Sequence, residues 1–345
     1  MINDIISYHL KHNTIEKKHI VSILGFKRNS PEQKKIFDYS RAVKNKNTAG
    51  YISIKAVIEF SNYCIKNCNY CGLRRDNEKV KRYRMPKEDI VRTAVETAGL
   101  GPDTIILQSG EDYSYSSDDI CEIISQIRQR TKLPVSVSLG ERERNEFREF
   151  KKAGAVRCLL KHESVNKKIF ENSNPDKNLE KRIDLLRYMN YLGYVSGSGN
   201  IIGLPDQTYE DIADDIIFMR DENIKMIGIG PFIPAENTPF QNLKSGEINL
   251  TLNAYAATRL TIPKVQLPAT TALGTIDKTA QEEAFKYACN VIMVNVTPEK
   301  YRENYVIYNN KAKMDFYDTY NNLRSLGYRV SPITENAVNN KKYGG

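Results

Sequence analysis

The sequence predicts an α/β fold, a closed (β/α)8 barrel of the TIM type with an N-terminal helical extension. Three observations predict it. Eight short apolar runs recur along the chain, amphipathic stretches of helical period separate them, and no Ser-, Gly- or Pro-rich linker interrupts the alternation. Strands alternating with helices imply a parallel sheet with right-handed crossovers. A count of eight makes closure more economical than a doubly wound open sheet.

The first 50 residues read as helical. Ile2, Ile5, Ile6 and Leu10 fall at helix spacing, and Ser30-Pro31-Glu32-Gln33 reads as an N-cap with Pro at the first helical position. Strands are expected at 51–59 (YISIKAVIE), 103–108 (DTIILQ), 134–139 (PVSVSL), 156–161 (VRCLLK) and 194–202 (YVSGSGNII). Three more follow at 226–230 (MIGIG), 265–270 (VQLPAT) and 290–295 (NVIMVN). Helices are expected between them at 86–99, 117–130, 143–153, 178–192, 208–222, 250–261 and 278–288. A last helix at 313–326 and a frayed polar tail at 337–345 complete the chain. The expected organisation is therefore an extension (1–50), a barrel (51–312) and a C-terminal helix with tail (313–345).

Composition narrows the class. The 345 residues are 40% hydrophobic and 27% charged, as a globular protein requires, and 51 Lys+Arg against 42 Asp+Glu leave a net charge of +9. The basic residues are spread along the chain, with no basic stripe, so the charge reads as solvated surface and no nucleic-acid partner is expected. No run of 18 apolar residues is present and no membrane association is expected. The N-terminal segment is too polar for a secretory signal. Six cysteines are too few for a disulfide framework, which points to a reducing cytoplasm.

A barrel of this kind carries its chemistry at the C-terminal ends of the strands. Just after the first strand lies Cys64-Ile-Lys-Asn-Cys68-Asn-Tyr-Cys71, in a loop rich in Asn. Three thiolates on one tight loop can ligate three irons of a 4Fe-4S cluster, leaving the fourth iron open to an exogenous ligand. Structural zinc would need a fourth ligand with its own regular spacing. Cys121, Cys158 and Cys289 each sit alone in an apolar pattern and read as small buried hydrophobes.

Polar groups gather at the other strand ends. Gln108-Ser109-Gly110-Glu111 follows the second strand; Gly110 permits close backbone approach and Glu111 can accept from an ammonium, although an ordinary turn reads the same way. Ser136 and Ser138 share one strand face. Arg157, Lys161 and Glu163 end the fourth strand and suit a carboxylate and a diol, or else form a rim ion pair. Arg182 offers a planar fork from the following helix. Gly197 and Gly199 inside the fifth strand suggest that a ligand or backbone comes close. Ile229 precedes a backbone-rich rim, Thr270 and Thr271 present adjacent hydroxyls, and Met293 and Tyr305 belong to the eighth strand and its loop.

The C-x3-C-x2-C spacing with Tyr70 before the last cysteine resembles the signature of the radical S-adenosylmethionine (SAM) superfamily. The segments IEFSNYCIKNCNYCGLRRDNEKVKRYRM, ILQSGED, SVSLGE, GIGPFIPAENTPF, PATTALGT and NVIMVNVTP, in this order, are similar to the HydE family of FeFe-hydrogenase maturases. Biotin synthase and methylornithine synthase are near relatives. The resemblance implies one 4Fe-4S cluster on Cys64, Cys68 and Cys71. Its open iron would bind SAM, whose reductive cleavage gives a 5′-deoxyadenosyl radical. Tyr70, Gln108, Glu111, Ser136, Glu163, Arg182, Gly199 and Ile229 would seat SAM. Ser109, Arg157, Lys161, Thr270, Thr271, Met293 and Tyr305 would line the substrate side.

The substrate it implies is a cysteine-bound iron carbonyl-cyanide species on the way to the hydrogenase diiron subcluster. The implied partners are the companion maturases HydG and HydF and reduced ferredoxin or flavodoxin. The alternative within the superfamily is an enzyme acting on a small organic substrate, a mutase like methylornithine synthase or a relative of biotin synthase. Two departures stand out. Lys161 occupies a position where the family carries Arg, which removes a bidentate fork. No cysteine follows Cys289, so no second C-terminal cluster is expected.

Overall fold

The computed structural model describes residues 1–343. The strands are β1 (Ser53–Ser61), β2 (Thr104–Ser109), β3 (Val135–Ser138), β4 (Ala155–Leu159), β5 (Val195–Ser198), β6 (Ile201–Ile202), β7 (Met226–Ile227), β8 (Gly230–Pro231) and β9 (Val291–Asn295). Seven of them form one curled parallel sheet in the order β7-β5-β4-β3-β2-β1-β9, and β6 and β8 pair separately. The helices Lys87–Ala98, Ser117–Thr131, Arg144–Lys152, Leu179–Tyr191, Tyr209–Asp221, Ile248–Thr261 and Lys278–Tyr287 are the expected crossovers.

Each strand splits its residues between two environments, because successive side chains point to opposite faces. Along β1, Ala56, Ile58 and Phe60 pack outward against the helices. Lys55 and Glu59 point inward, where Lys55 Nζ lies 3.5 Å from Thr104 Oγ1 and Glu59 Oε2 accepts from Asn295 Nδ2 at 2.6 Å. Cys158 turns outward into the same helix-facing core.

The expected eight-stranded ladder is seven strands long. The segment expected as a strand at 265–270 makes only single parallel bridges, Gln266 to Met226 and Pro268 to Val291, at the two edges of the sheet. Pro268 has no N–H to extend a ladder. On one side Ile227 N donates to Gln266 O at 2.9 Å and Gln266 N to Lys225 O at 3.0 Å; on the other Ala269 N donates to Val291 O at 3.0 Å, and Asn290 N and Val291 N donate to Leu267 O at 3.0 and 3.3 Å. The fifth and sixth expected strands each break in two, at Gly199-Asn200 and at Gly228-Ile229.

The N-terminal extension is three helices, Ile2–His12, Lys17–Leu24 and Pro31–Asn47. Ser30 caps the third as expected: its side chain accepts from Gln33 N at 3.1 Å, and Gln33 Oε1 accepts from Asn29 N at 2.7 Å. Ile5, Ile20, Ile23 and Ile36 join the core formed by helices 209–221, 248–261 and 278–287. At the other end, Phe316–Ser325 is the expected helix. Of the tail expected to fray (337–345), residues 337–343 belong instead to a second helix, Pro332–Tyr343, and 344–345 lie outside the described residues. Ser331 and Thr334 anchor its start, with Thr334 Oγ1 donating to Gly101 O at 2.7 Å and Ser331 Oγ bonded to Asp103. Among the described residues no helix is long and apolar enough to cross a membrane.

Lys55 is 1% exposed, and burial, with Arg157 nearby, pushes it down to about 8. A shift of that size corresponds to about 3 kcal/mol. Between the folded and unfolded values the unfolded chain holds the extra proton, so stability rises with pH across that window. Lys55→Met is therefore expected to raise the melting temperature by several degrees below pH 8. The gain should shrink as pH rises toward 10, in melts recorded by circular dichroism; a gain independent of pH would refute the assignment.

Candidate functional site: the mouth of the barrel

The cysteine loop leaves β1 and is tied down by backbone-directed side chains. Ser61 Oγ donates to Asp112 Oδ2 at 2.6 Å, and Arg84 grips the same carboxylate at 2.7 and 3.0 Å. Arg82 donates to four carbonyls, those of Asn62, Leu73, Arg74 and Asn77. Asn62 bonds the carbonyls of Lys81 (2.9 Å) and Asn304 (2.7 Å), and Asn69 Nδ2 bonds that of Asn172 at 2.7 Å. Beneath the loop, Gly110 comes so close that a Cβ there would lie 2.2 Å from Tyr63 O and 2.9 Å from Cys64 Cβ. Only glycine fits that approach.

The Cys71 thiol senses the other two. Burial first, and then Cys68 and Cys64, push the Cys71 thiol up to about 12; burial also raises Cys64. Such thiols hold their protons until a metal displaces them. Among the described residues no three His, Cys, Asp or Glu side chains converge closely enough to share one metal ion. Ligands of a single zinc, at ~2.3 Å from it, crowd together. Thiolates that each bind a different iron of a cluster need not converge on one point, and three free thiols on one loop are the donor set such a cluster takes.

Beside the loop lies a buried ion network. Glu111 faces Lys177 at 3.0 Å, Arg182 at 3.7 Å and Lys66 at 3.9 Å. Arg182 donates from Nε to Glu141 Oε1 at 2.8 Å and from Nη1 to Lys161 O at 2.7 Å. Lys161 pairs with Glu163 at 3.0 Å. Burial opposes ionisation of Glu163, but Lys161, Arg182 and Lys177 prevail and hold its carboxyl below the ordinary range. Glu111 Oε1, Glu163 Oε2 and Arg182 Nη2 are buried and meet only their ion-pair partners, Lys177, Lys161 and Glu141, at 2.8–3.0 Å, while Glu111 Oε2 faces Lys66 at 3.9 Å. Native interiors rarely leave a buried carboxylate oxygen such as Glu111 Oε2 without a hydrogen bond, and a bound ammonium matches it.

Glu163 holds a left-handed backbone, φ 63°. A parallel bridge to Asn200 enforces it, through Glu163 N to Gly199 O at 3.0 Å and Ile201 N to Glu163 O at 3.1 Å. Asn200 is itself fixed by Asp215 Oδ2 at 3.0 Å, and the neighbouring His162 ring meets Ser198 Oγ at 2.9 Å. At Gly199 a Cβ would strike Gly228 O at 2.0 Å.

The remaining residues singled out from sequence divide between lining and support. Tyr70 bonds Asn174 Oδ1 at 3.2 Å and packs on the Phe232–Phe240 cluster. Gln108 Nε2 reaches the Tyr305 hydroxyl at 3.4 Å. Ser136 Oγ and Arg157 Nε are buried and unpartnered on facing strands, and Arg157 Nη1 reaches Gln266 at 3.3 Å. Met293 sits opposite Lys55 on β9.

Other singled-out residues are drawn into the framework. Ser109 Oγ donates to Gly110 O at 2.7 Å. Thr270 caps helix Thr271–Ile276 and shares its hydroxyl with Tyr255 at 3.2 Å, while Thr271 lends its carbonyl to Thr275. The Ile229 side chain is buried in the helix-facing core, and its carbonyl accepts from Tyr255 at 2.7 Å. Ile229 and Thr270 thus support the mouth more than they face it.

Sequence reading missed Lys177, Arg82 and the inward pair of Glu59 with Lys311. Lys177 lies in a plain turn, Asn174-Pro-Asp-Lys177, with no motif to single it out. Lys311 comes from a loop more than two hundred residues from Glu59. Only the inward register of Glu59, a carboxylate at every-second spacing within an apolar strand, offered a signal.

Residues 58–219 match the radical SAM superfamily. The chain is 44% identical over 284 residues to the FeFe-hydrogenase maturase subunit HydE of Thermotoga maritima, covering 82% of this chain and 81% of that one. It is 27% identical to 3-methylornithine synthase of Methanosarcina acetivorans, over 71% of this chain and 70% of the relative. Among solved structures, methylornithine synthase (PylB) superposes with TM-score 0.86 at 19% identity, covering 96% of this chain and 98% of that one. The FeFe-hydrogenase maturase HydG superposes with TM-score 0.82 at 20% identity, covering 95% and 75%. These two structures speak to the fold alone. The extent and level of identity to the Thermotoga protein decide the narrower question: the chain belongs to the HydE family of radical SAM enzymes.

Proposed function

We propose that this chain matures FeFe-hydrogenase by acting on a cysteine-bound iron carbonyl-cyanide precursor of the diiron subcluster. The observation that carries this reading is the cysteine loop, seated by Gly110 beside the buried ion network of Glu111, Glu163, Lys177 and Arg182, in a chain of the HydE family. When bound, one 4Fe-4S cluster and SAM supply a 5′-deoxyadenosyl radical.

The chain's own residues bind, orient and exclude water. Cys64, Cys68 and Cys71 hold the cluster. Glu111 takes the SAM ammonium, Arg182 its carboxylate and Glu163 the ribose hydroxyls, with Tyr70, Gln108, Ser136, Gly199 and the backbone at Ile229 completing the seat. Arg157 and Lys161 supply positive charge on the substrate side, lined by Ser109, Thr271, Met293 and Tyr305, with Thr270 supporting it from behind through Tyr255. An anionic cyanide ligand set suits such a cationic interior. The two bridges of segment 265–270 support a closed ring of eight strands, which would keep solvent from the radical. The expected partners are HydG, HydF and reduced ferredoxin or flavodoxin, in the cytoplasm. The extension (1–50) and the C-terminal unit (313–345) then act as packing around the barrel (51–312).

A second reading, a radical SAM enzyme on a small organic amino acid, draws on one observation. Glu59 and Lys311 pair inside the mouth near Tyr305, a carboxylate and an ammonium that suit an amino-acid zwitterion.

The deciding experiment is hydrogenase activation in an anaerobic maturation mixture lacking only its own HydE. The reconstituted protein should restore activity and Cys64→Ala should not. SAM cleavage without activation would favour the organic substrate. Glu163→Gln should weaken SAM binding by about ten- to hundredfold while iron content stays unchanged; an unaltered SAM titration would remove its role. Gly110→Ala should lower the iron incorporated on reconstitution, because its Cβ displaces the loop at Tyr63; full incorporation would show that the close approach is dispensable.

A further inference from the structure

A cavity of about 220 Å³ opens at the pole opposite the mouth. Its walls come from Tyr51, just before β1, from Asn290, just before β9, and from helix 31–47 and the turn at Tyr328-Arg329. Four cations line it, Arg41, Lys44, Lys286 and Arg329, and no carboxylate does. Of the acidic groups nearby, Asp38 pairs with Arg41 at 3.0 Å on the surface, and Glu282 lies beside Tyr328 without lining the cavity.

The floor of the cavity adds to the imbalance. Lys44 is buried and donates only to the carbonyls of Phe285 and Lys286. Arg259, behind it, is wholly buried and donates to the carbonyls of Ala288, Pro263 and Val265 and to Asn290 Oδ1 at 2.8–2.9 Å. Among the described residues neither makes a salt bridge. Carbonyls satisfy the donors but leave the charge uncompensated, and buried charge is normally paired. Burial, with Arg259 and Arg41 close by, pushes Lys44 down to about 8. Lys44 has three donors and two acceptors, so one N–H remains for a ligand.

We propose that this cavity is a second binding site, which takes the di- or triphosphate group of a small molecule. Guanidinium forks and ammonium groups around one small concavity suit a compact polyanion. A single pocket without a basic stripe does not suit a nucleic acid. Tyr51 and Tyr328 line the cavity beside the cations, and the phosphates can be free or carried by a nucleotide. The site stands apart from the radical chemistry and does not depend on the proposed substrate.

Isothermal calorimetry on the full chain at fixed ionic strength tests it. The probes are inorganic pyrophosphate and CTP, whose base avoids a site built for adenosine, with citrate as the charge control. At least one phosphate probe should bind saturably at one per chain. Binding should weaken at least about tenfold in Arg41→Gln/Arg329→Gln, where two forks are removed from the rim. Lys286→Gln provides an independent variant should that pair perturb the fold. SAM affinity and the ligand-free melting temperature should not change. Binding of pyrophosphate alone, or of both probes, identifies the phosphate group as sufficient; binding of CTP alone adds the base, and both outcomes support the site. Absence of saturable binding by either probe, equal binding of citrate, or undiminished binding in the variants would overturn it.

Discussion

Arg182 is the hinge of the mouth. It is buried among Glu141, Glu111 and the Lys161 carbonyl, and a guanidinium in that position demands partners from several elements at once. Meeting its demand places the end of β2, the loop after β3, the end of β4 and helix 179–191 in one register. Lys177 and Lys161 join because Arg182 alone does not balance Glu111, Glu141 and Glu163. The result is an alternating set of charges, Lys66, Lys177, Arg182 and Lys161 between Glu111, Glu141 and Glu163. Removing one member would strand a buried charge, which is why the network is a better guide to ligand chemistry than to stability.

Backbone proximity makes the second demand. Gly110 lies under the cysteine loop, Gly199 lies against Gly228, and Gly140, at φ 70°, leaves room for the Glu111 side chain. These contacts let polypeptide approach where a side chain would have kept it away. They also explain why Glu163 can hold a left-handed backbone: Gly199 O accepts from its N–H, Ile201 N donates to its carbonyl, and Asp215 anchors Asn200 between them. Strain of that kind persists only when neighbours over-determine it.

The interior charge carries a cost. Lys55, Arg157 and, at the far pole, Lys44 and Arg259 are cations in low-dielectric surroundings with carbonyls, hydroxyls and amides as their partners. Apolar residues of similar size would pack there at lower cost.

The sequence by itself determined the alternation of strands and helices, the N-terminal helices with the Ser30 cap, the cysteine loop after the first strand and the glycines at the strand ends. Those features are local: periodicity, caps and spacing are properties of neighbouring residues. It also marked Glu111, Glu163 and Arg182, because they follow strands whose ends were already placed. Only the tertiary structure decided the rest. Pro268 stops the ladder on the β7 side, where its N–H would have been the next donor after that of Gln266, and this matters only once that edge is in place. The Ile229 side chain and the Thr270 hydroxyl turn toward Tyr255, a partner that no spacing rule connects to them. Lys177 and Lys311 reach the mouth from turns without a motif, and residues 332–343 form a helix once Ser331 and Thr334 find Asp103 and Gly101. Each depends on contacts between residues far apart in the chain, which a one-dimensional pattern does not encode.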